Sequence, residues 1–249
     1  NNAVLTHNRL GHVSTNTMLR MKKNGMLDGI SEKQIRELEN IPCEACLKQT
    51  QNKIHSKHNR KTNEQRNAQR NETIGHLHAD IAKLPDDADF KAITIFVDEK
   101  SRYNFAIFDD HMKPTAAIAI QNIKTIQAKL GKHNHKIHSI RFDKETGYHA
   151  RQTTDYLQKQ TPQIRLDTSR ASEQNLAEPK IQVIRERANK MINYSNVPDF
   201  LKDWAYRYAI QLTNLIPTDA LGGRTPYQEF YNKSPYNIIS RLKTFGSIA

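Results

Sequence analysis

The chain has 249 residues, enough for one large domain or two smaller ones, and 37% of them are hydrophobic, which is low but sufficient for a core. Its 38 basic residues outnumber 26 acidic ones, leaving a net charge of +12, a surplus that points to a polyanion and first to nucleic acid. No apolar run is long enough to span a membrane, no signal peptide opens the sequence, and two cysteines are too few for a disulfide framework. The abrupt ends lead us to expect a segment excised from a longer protein.

The first fifty residues carry a metal-ligand pattern. His7 and His12 come first, in His7-Asn8-Arg9-Leu10-Gly11-His12. A helical period follows from Val13 to Met26, through Met18, Leu19 and Met21. A second short helix is expected from Ser31 to Glu39, with Ser31 as its N-cap. Cys43-Glu44-Ala45-Cys46 closes the segment. Two imidazoles and two thiolates make a closed tetrahedral set, the signature of structural zinc. Such an ion would fold a segment too small to build its own core, and it leaves no position open for catalysis. We place this zinc-binding domain at residues 1–52.

Residues 53–73 read as a basic linker. From Lys48 to Glu72 the chain is polar, with Lys57, Arg60 and Lys61 among seven cations that face only Glu64 and Glu72. A charge run is ordinarily a solvated connector. It could equally track phosphates along DNA, and both roles can hold at once.

Residues 74–249 read as an α/β domain. Strands are expected at Ile74–Ile81, Ala92–Asp98, Tyr103–Phe108, Lys136–Asp143 and Ile164–Asp167. Helices are expected from Pro114 to about Leu130, around Thr153–Lys159, from about Asn175 to Tyr194, and over Asp199–Leu215. Three antiparallel-looking strands followed by alternating helices and strands fit a sheet of the ribonuclease H type. Ile181, Ile184, Ala188, Met191 and Ile192 take the core-facing positions of the third helix. In the last helix Phe200, Trp204, Tyr208, Leu212 and Leu215 are expected to be buried.

Three carboxylates stand out. Asp80 lies in the first strand, Asp143 at the tip of the fourth, and Glu178 in the first turn of a helix. Each alone is an ordinary acid, like Asp98, Glu99, Asp109, Asp110, Glu145, Asp155 and Asp167. Three on separate elements form the kind of oxygen cage that holds divalent ions for phosphoryl transfer. Glu173 is the rival for the third place.

These residues resemble the integrase of Copia/Ty1-type LTR retrotransposons, which is part of a Gag-Pol polyprotein and a relative of retroviral integrase. The resemblance runs nearly the full length. His7, His12, Cys43 and Cys46 are similar to that family's HHCC zinc domain. Leu77-His78-Ala79-Asp80, Arg141-Phe142-Asp143 and Asn175-Leu176-Ala177-Glu178 are similar to the blocks that hold its two aspartates and one glutamate. Trp204-Ala205 and the run from Asn214 to Tyr227, with Gly222-Gly223-Arg224-Thr225-Pro226, resemble the segment that closes its catalytic core. The chain departs from the family at Lys144-Glu145-Thr146, where a glycine pair is usual before a glutamate, and at Pro179, where a basic residue is usual. One position is also missing between Asn175 and Glu178.

The resemblance implies a ribonuclease H-like catalytic core and a DDE-type transferase that joins the 3′-hydroxyl ends of element cDNA to target DNA. It implies two Mg2+ (or Mn2+) ions on Asp80, Asp143 and Glu178, one structural Zn2+, and a homo-multimer on double-stranded DNA. It also implies neighbours such as reverse transcriptase, and action in the nucleus after a cytoplasmic virus-like-particle stage. Lys180 and Arg187, seven residues apart on one helix, are candidate phosphate contacts beside the acids, with Lys57, Arg60 and Lys61 in the linker. Two other readings stay open: a non-catalytic, architectural DNA-binding protein on the same fold, and a hydrolytic nuclease.

Overall fold

A computed structural model of the chain describes residues 2–51, 72–142, 147–168 and 175–247. The chain divides into two compact units, one of Arg70–Gln182 and one of Asn1–Gln69 with Val183–Ala249.

The unit of Arg70–Gln182 is built on a five-stranded mixed sheet. Its strands are β1 (His76–Lys83), β2 (Ala92–Asp98), β3 (Asn104–Asp109), β4 (Ser139–Phe142) and β5 (Arg165–Thr168), in the order β3-β2-β1-β4-β5. β1, β2 and β3 form an antiparallel meander, while β4 runs parallel to β1 and β5 parallel to β4. Every residue of β2 is buried, as its unbroken apolar run requires of an inner strand. The strand edges lie within three residues of those expected, and the ribonuclease H pattern holds.

Helices fill the connections. The first crossover helix of this unit runs Ala116–Gly131, two residues after the expected start, because Thr115 caps it by accepting the Ile118 amide. A shorter helix, Arg151–Gln158, precedes β5. Gly75 opens β1 at φ +117°, where a Cβ would lie 1.9 Å from the Lys136 carbonyl oxygen. Beside it Asp98 is wholly buried and fully used. Its oxygens accept the Gly75 amide at 2.8 Å, the Ser101 amide at 2.7 Å and the Ser101 hydroxyl at 2.6 Å.

At the far end of β4 an aromatic cluster locks the chain. Phe142 stacks on Tyr148 with centroids 4.0 Å apart, and Phe96 meets both rings edge-on. All three are fully buried. Phe142 and Tyr148 are therefore both held in the core.

The other unit is helical. Its amino-terminal part comprises α1 (Asn2–Arg9), α2 (Thr15–Lys23), α3 (Glu32–Glu37) and α4 (Glu44–Gln51). Ser14 caps α2, and Ser31 caps α3 through a full capping box with Gln34. Met18, Met21 and Ile35 are completely buried. The carboxy-terminal part holds helices at Lys202–Leu215, Pro226–Tyr231 and Tyr236–Ile239. Thr225 and Gln228 form a second capping box around Pro226. The long helix Ala177–Ser195 starts in the first unit and continues here, burying Ile184, Ala188 and Met191.

Helix Lys202–Leu215 corrects one expectation. Leu212 and Leu215 are buried, but Phe200 is 62% and Trp204 60% exposed. The helix buries Ala205, Tyr206, Ala209 and Ile210 instead. Trp204 keeps its ring at the surface with the Arg207 guanidinium 5.8 Å from its centroid, a cation–π contact. No helix among the described residues is long and apolar enough to cross a membrane.

These placements separate two aromatic substitutions. Phe142→Ala should cost about 3–5 kcal/mol of folding free energy, the range for deleting a buried ring. Trp204→Ala should stay within about 0.5 kcal/mol, as surface changes do. Urea unfolding of each variant measures both.

Candidate metal centre and carboxylate site

His7 and His12 stand on either side of the turn that ends α1, and Cys43 and Cys46 flank the start of α4. The fold brings one ligand atom from each to within 4.8 Å of all the others. His7 Nε2 and His12 Nδ1 are 3.2 Å apart, Cys43 Sγ is 3.4 Å from His12 Nδ1, and Cys46 Sγ is 3.6 Å from His7 Nε2. A zinc tetrahedron with N ligands at ~2.05 Å and S ligands at ~2.3 Å has N–N edges of about 3.3 Å and N–S edges of about 3.5 Å. The donor set and its spacings fit zinc.

The surroundings are arranged for this. The His7 Nδ1–H donates to the Val13 carbonyl at 2.9 Å, which leaves Nε2 free to ligate. Burial lowers the pKa of His7 and takes that of His12 down to about 3, so both rings are neutral, as ligands must be. Burial pushes the Cys46 thiol up to about 11, with Lys190 pulling the other way. A bound dication is the charge that would convert it to thiolate.

The sequence reading missed the wall that backs this centre. It comes from the distal half of helix Ala177–Ser195, more than 140 positions along the chain from every one of the four ligands, so no local pattern could reveal it. The Asn8 amide donates to the Tyr194 hydroxyl at 2.7 Å, and the Tyr194 ring lies 5.0 Å from that of His12. Lys190 lines the same cavity of about 660 Å³ as all four ligands. Arg187 also belongs here. Its stem packs under Gly11, its guanidinium donates to Thr213 Oγ1 at 2.7 Å, and burial lowers its pKa to about 10. Turned inward in this way, Arg187 is a packing residue rather than the expected phosphate contact.

The carboxylates lie on the sheet. Asp80 is half-buried on β1, the central strand, and its Oδ1 accepts the Ile81 amide at 2.8 Å. His76 pairs with Ser139 and His78 with Arg141 along the parallel β4. His78 and Asp80 lie two residues apart on β1. Side chains two apart share a face of a strand. Asp143 itself lies outside the described residues, with Lys144, Glu145 and Thr146, and so do Glu173, Lys57, Arg60 and Lys61.

Glu178 is exposed in the first turn of helix Ala177–Ser195, where an acid suits the positive end of the helix dipole. Pro179 follows within the same turn, where its missing N–H costs nothing. Lys180 is half-buried one position on. The approach to this helix is tied to β1. Asn175 donates its side-chain amide to the Ala79 carbonyl at 3.0 Å, and its own carbonyl accepts the Ala177 amide at 3.0 Å. The Leu176 amide donates to His78 Nδ1 at 3.3 Å. The helix start is therefore held next to Asp80.

Known proteins share parts of this design. Residues 1–51 match the GAG-pre-integrase domain family. A chain of the simian T-cell lymphotropic virus intasome, solved with the PP2A regulatory subunit B56 gamma, is similar over 82% of this chain and 68% of its own, at 18% identity and a TM-score of 0.53. The HTLV-2 integrase catalytic core domain, solved in complex with magnesium in a dimeric form, is similar over 63% of this chain and 95% of its own, at 19% identity and a TM-score of 0.48. The likeness to the intasome chain concerns the fold alone, a mixed α/β core whose sheet order is of the ribonuclease H type.

The metal centre is directly checkable. The purified chain should hold about one zinc by elemental analysis, and Cys43→Ser or His12→Ala should remove it. Chelation should lower the melting temperature of the parent chain and leave that of Cys43→Ser unchanged.

Proposed function

We propose that this chain is the integrase of an LTR retroelement, of the Copia/Ty1 type, joining the 3′-hydroxyl ends of element cDNA to target DNA. The observation that carries this reading is the convergence on β1: Asp80 stands on the central strand, and the lead-in of the helix that bears Glu178 is tied to the same strand. The match of residues 1–51 to a GAG-pre-integrase domain and the retroviral integrase fold of the rest support it.

Asp80, Asp143 and Glu178 supply the oxygen ligands, and their hard donors suit Mg2+ or Mn2+. A pair of such ions would stabilise the attacking and leaving oxygens of an in-line displacement at phosphorus. The chain's own part is to hold the three carboxylates in place and to seat the DNA backbone. Lys180, two residues after Glu178, is the phosphate contact beside the site, and Lys57, Arg60 and Lys61 track the backbone further away. His7, His12, Cys43 and Cys46 hold a structural zinc. The partners are the element's LTR ends and target DNA, further copies of the chain, and reverse transcriptase. The place of action is the nucleus, after a virus-like-particle stage in the cytoplasm.

A second reading has its own observation. Lys144-Glu145-Thr146 replaces the glycine-rich sequence usual after the second aspartate, and Pro179 replaces a basic residue. These changes favour an integrase-derived protein that binds DNA without joining it.

A strand-transfer assay decides between them, using a labelled LTR-end duplex and a plasmid in Mg2+ and in Mn2+. Joined product that falls to background in Asp80→Asn is the expected result. A zinc-loaded protein that shifts DNA but joins none in either metal would sink the transferase and leave the binding protein.

A further inference from the structure

We propose that His78 and Asn175 are positioning residues of the carboxylate site, fixing the first turn of helix Ala177–Ser195, and so Glu178, against the strand that carries Asp80. The inference rests on the function proposed above, since it assigns these two side chains a task within that same site.

A helix start leaves backbone N–H groups without intrahelical partners, and a side chain of the helix's own leading residue ordinarily accepts one. Here two elements share the work. Asn175 accepts the Ala177 amide, as a cap does. Its other end reaches across to the Ala79 carbonyl, one residue from Asp80. The Leu176 amide is accepted by an imidazole of β1 rather than by any group of the helix.

His78 is suited to the task because it cannot move. It is 5% exposed, and it lies two residues from Asp80 on the same face of β1. Since Nδ1 accepts the Leu176 amide, the ring proton sits on Nε2, which faces the Glu99 carboxylate at 3.7 Å. One side chain of the strand and one of the helix lead-in thus clamp the same three-residue stretch, Asn175 to Ala177.

The chemistry gives this clamp a purpose beyond capping. Carboxylates that share a small hard cation must bring oxygens to ~2.1 Å from it in a near-octahedral set, which tolerates little displacement. Glu178 is exposed, and nothing about a first helical turn is rigid by itself. Groups that orient ligands from outside the coordination sphere are commonly worth 10- to 100-fold in metal affinity.

Three substitutions in the full chain test the idea. His78→Phe keeps the ring volume and removes the acceptor. His78→Asn puts an amide oxygen near the place of Nδ1. Asn175→Asp keeps the acceptor for Ala177 and turns the donor facing the Ala79 carbonyl into a repelling oxygen. Mn2+ binding is measured by calorimetry, and amide hydrogen exchange is followed at residues 177–182, with Asp80→Asn as control.

His78→Phe and Asn175→Asp should each weaken Mn2+ binding by about ten-fold or more and speed exchange at the helix start. His78→Asn should restore most of both. Parent-like Mn2+ affinity in His78→Phe and Asn175→Asp, while Asp80→Asn binds none, would overturn the inference and spare the proposed site. Weakened binding with unchanged exchange at 177–182 would overturn it too. Unchanged Mn2+ binding in Asp80→Asn would instead remove the carboxylate site itself, and the clamp with it.

Discussion

Strand β1 is the constraint on which the Arg70–Gln182 unit depends. It pairs antiparallel with β2 along one edge and parallel with β4 along the other, and its face receives the start of the long helix. Asp80 therefore sits where three separate stretches of chain must meet. A strand in the middle of a sheet has no freedom to slip, because a one-residue shift would turn its buried face to solvent. The rigidity of β1 is what holds the lead-in of the long helix beside Asp80. Strain is kept elsewhere, at Gly75, where only a residue without Cβ fits beside the Lys136 carbonyl.

The amino-terminal segment meets a different physical problem. Four short helices cannot bury enough apolar surface to hold themselves together. Four potential ligands are gathered around one point with the spacings of a zinc tetrahedron, and a metal bound there would supply the missing energy. The neighbouring surface is completed by the distal half of helix Ala177–Ser195, through Tyr194, Lys190 and Arg187. That helix therefore carries two kinds of residue for two purposes. Its first turn offers an exposed acid, and its later turns offer packing and an electrostatic wall.

Several features were legible from the chain alone because they are local. The capping residue Ser31, the closed set of two histidines and two cysteines, and the strand that delivers Asp80 each follow from short-range pattern. Helix Lys202–Leu215 shows where that reasoning fails. It has apolar residues on more than one face, and hydrophobicity alone chose the stripe with the aromatic rings. The packing chose a face that holds Ala205, Tyr206, Ala209, Ile210, Leu212 and Leu215 and leaves Trp204 at the surface. Arg187 failed in the same way. On a helical wheel it is one more cation near Lys180, and only its neighbours Gly11 and Thr213 turn it inward.

Taken by itself, the sequence determined the α/β class and the group of His7, His12, Cys43 and Cys46, since alternation, ligand spacing and helix starts are properties of short stretches of chain. Tertiary structure alone decided which face of a helix is buried and which cation is inward. It also decided that His78 and Asn175, nearly a hundred positions apart, hold the same helix turn. Those outcomes depend on contacts between distant segments, and distance along the chain carries no record of them.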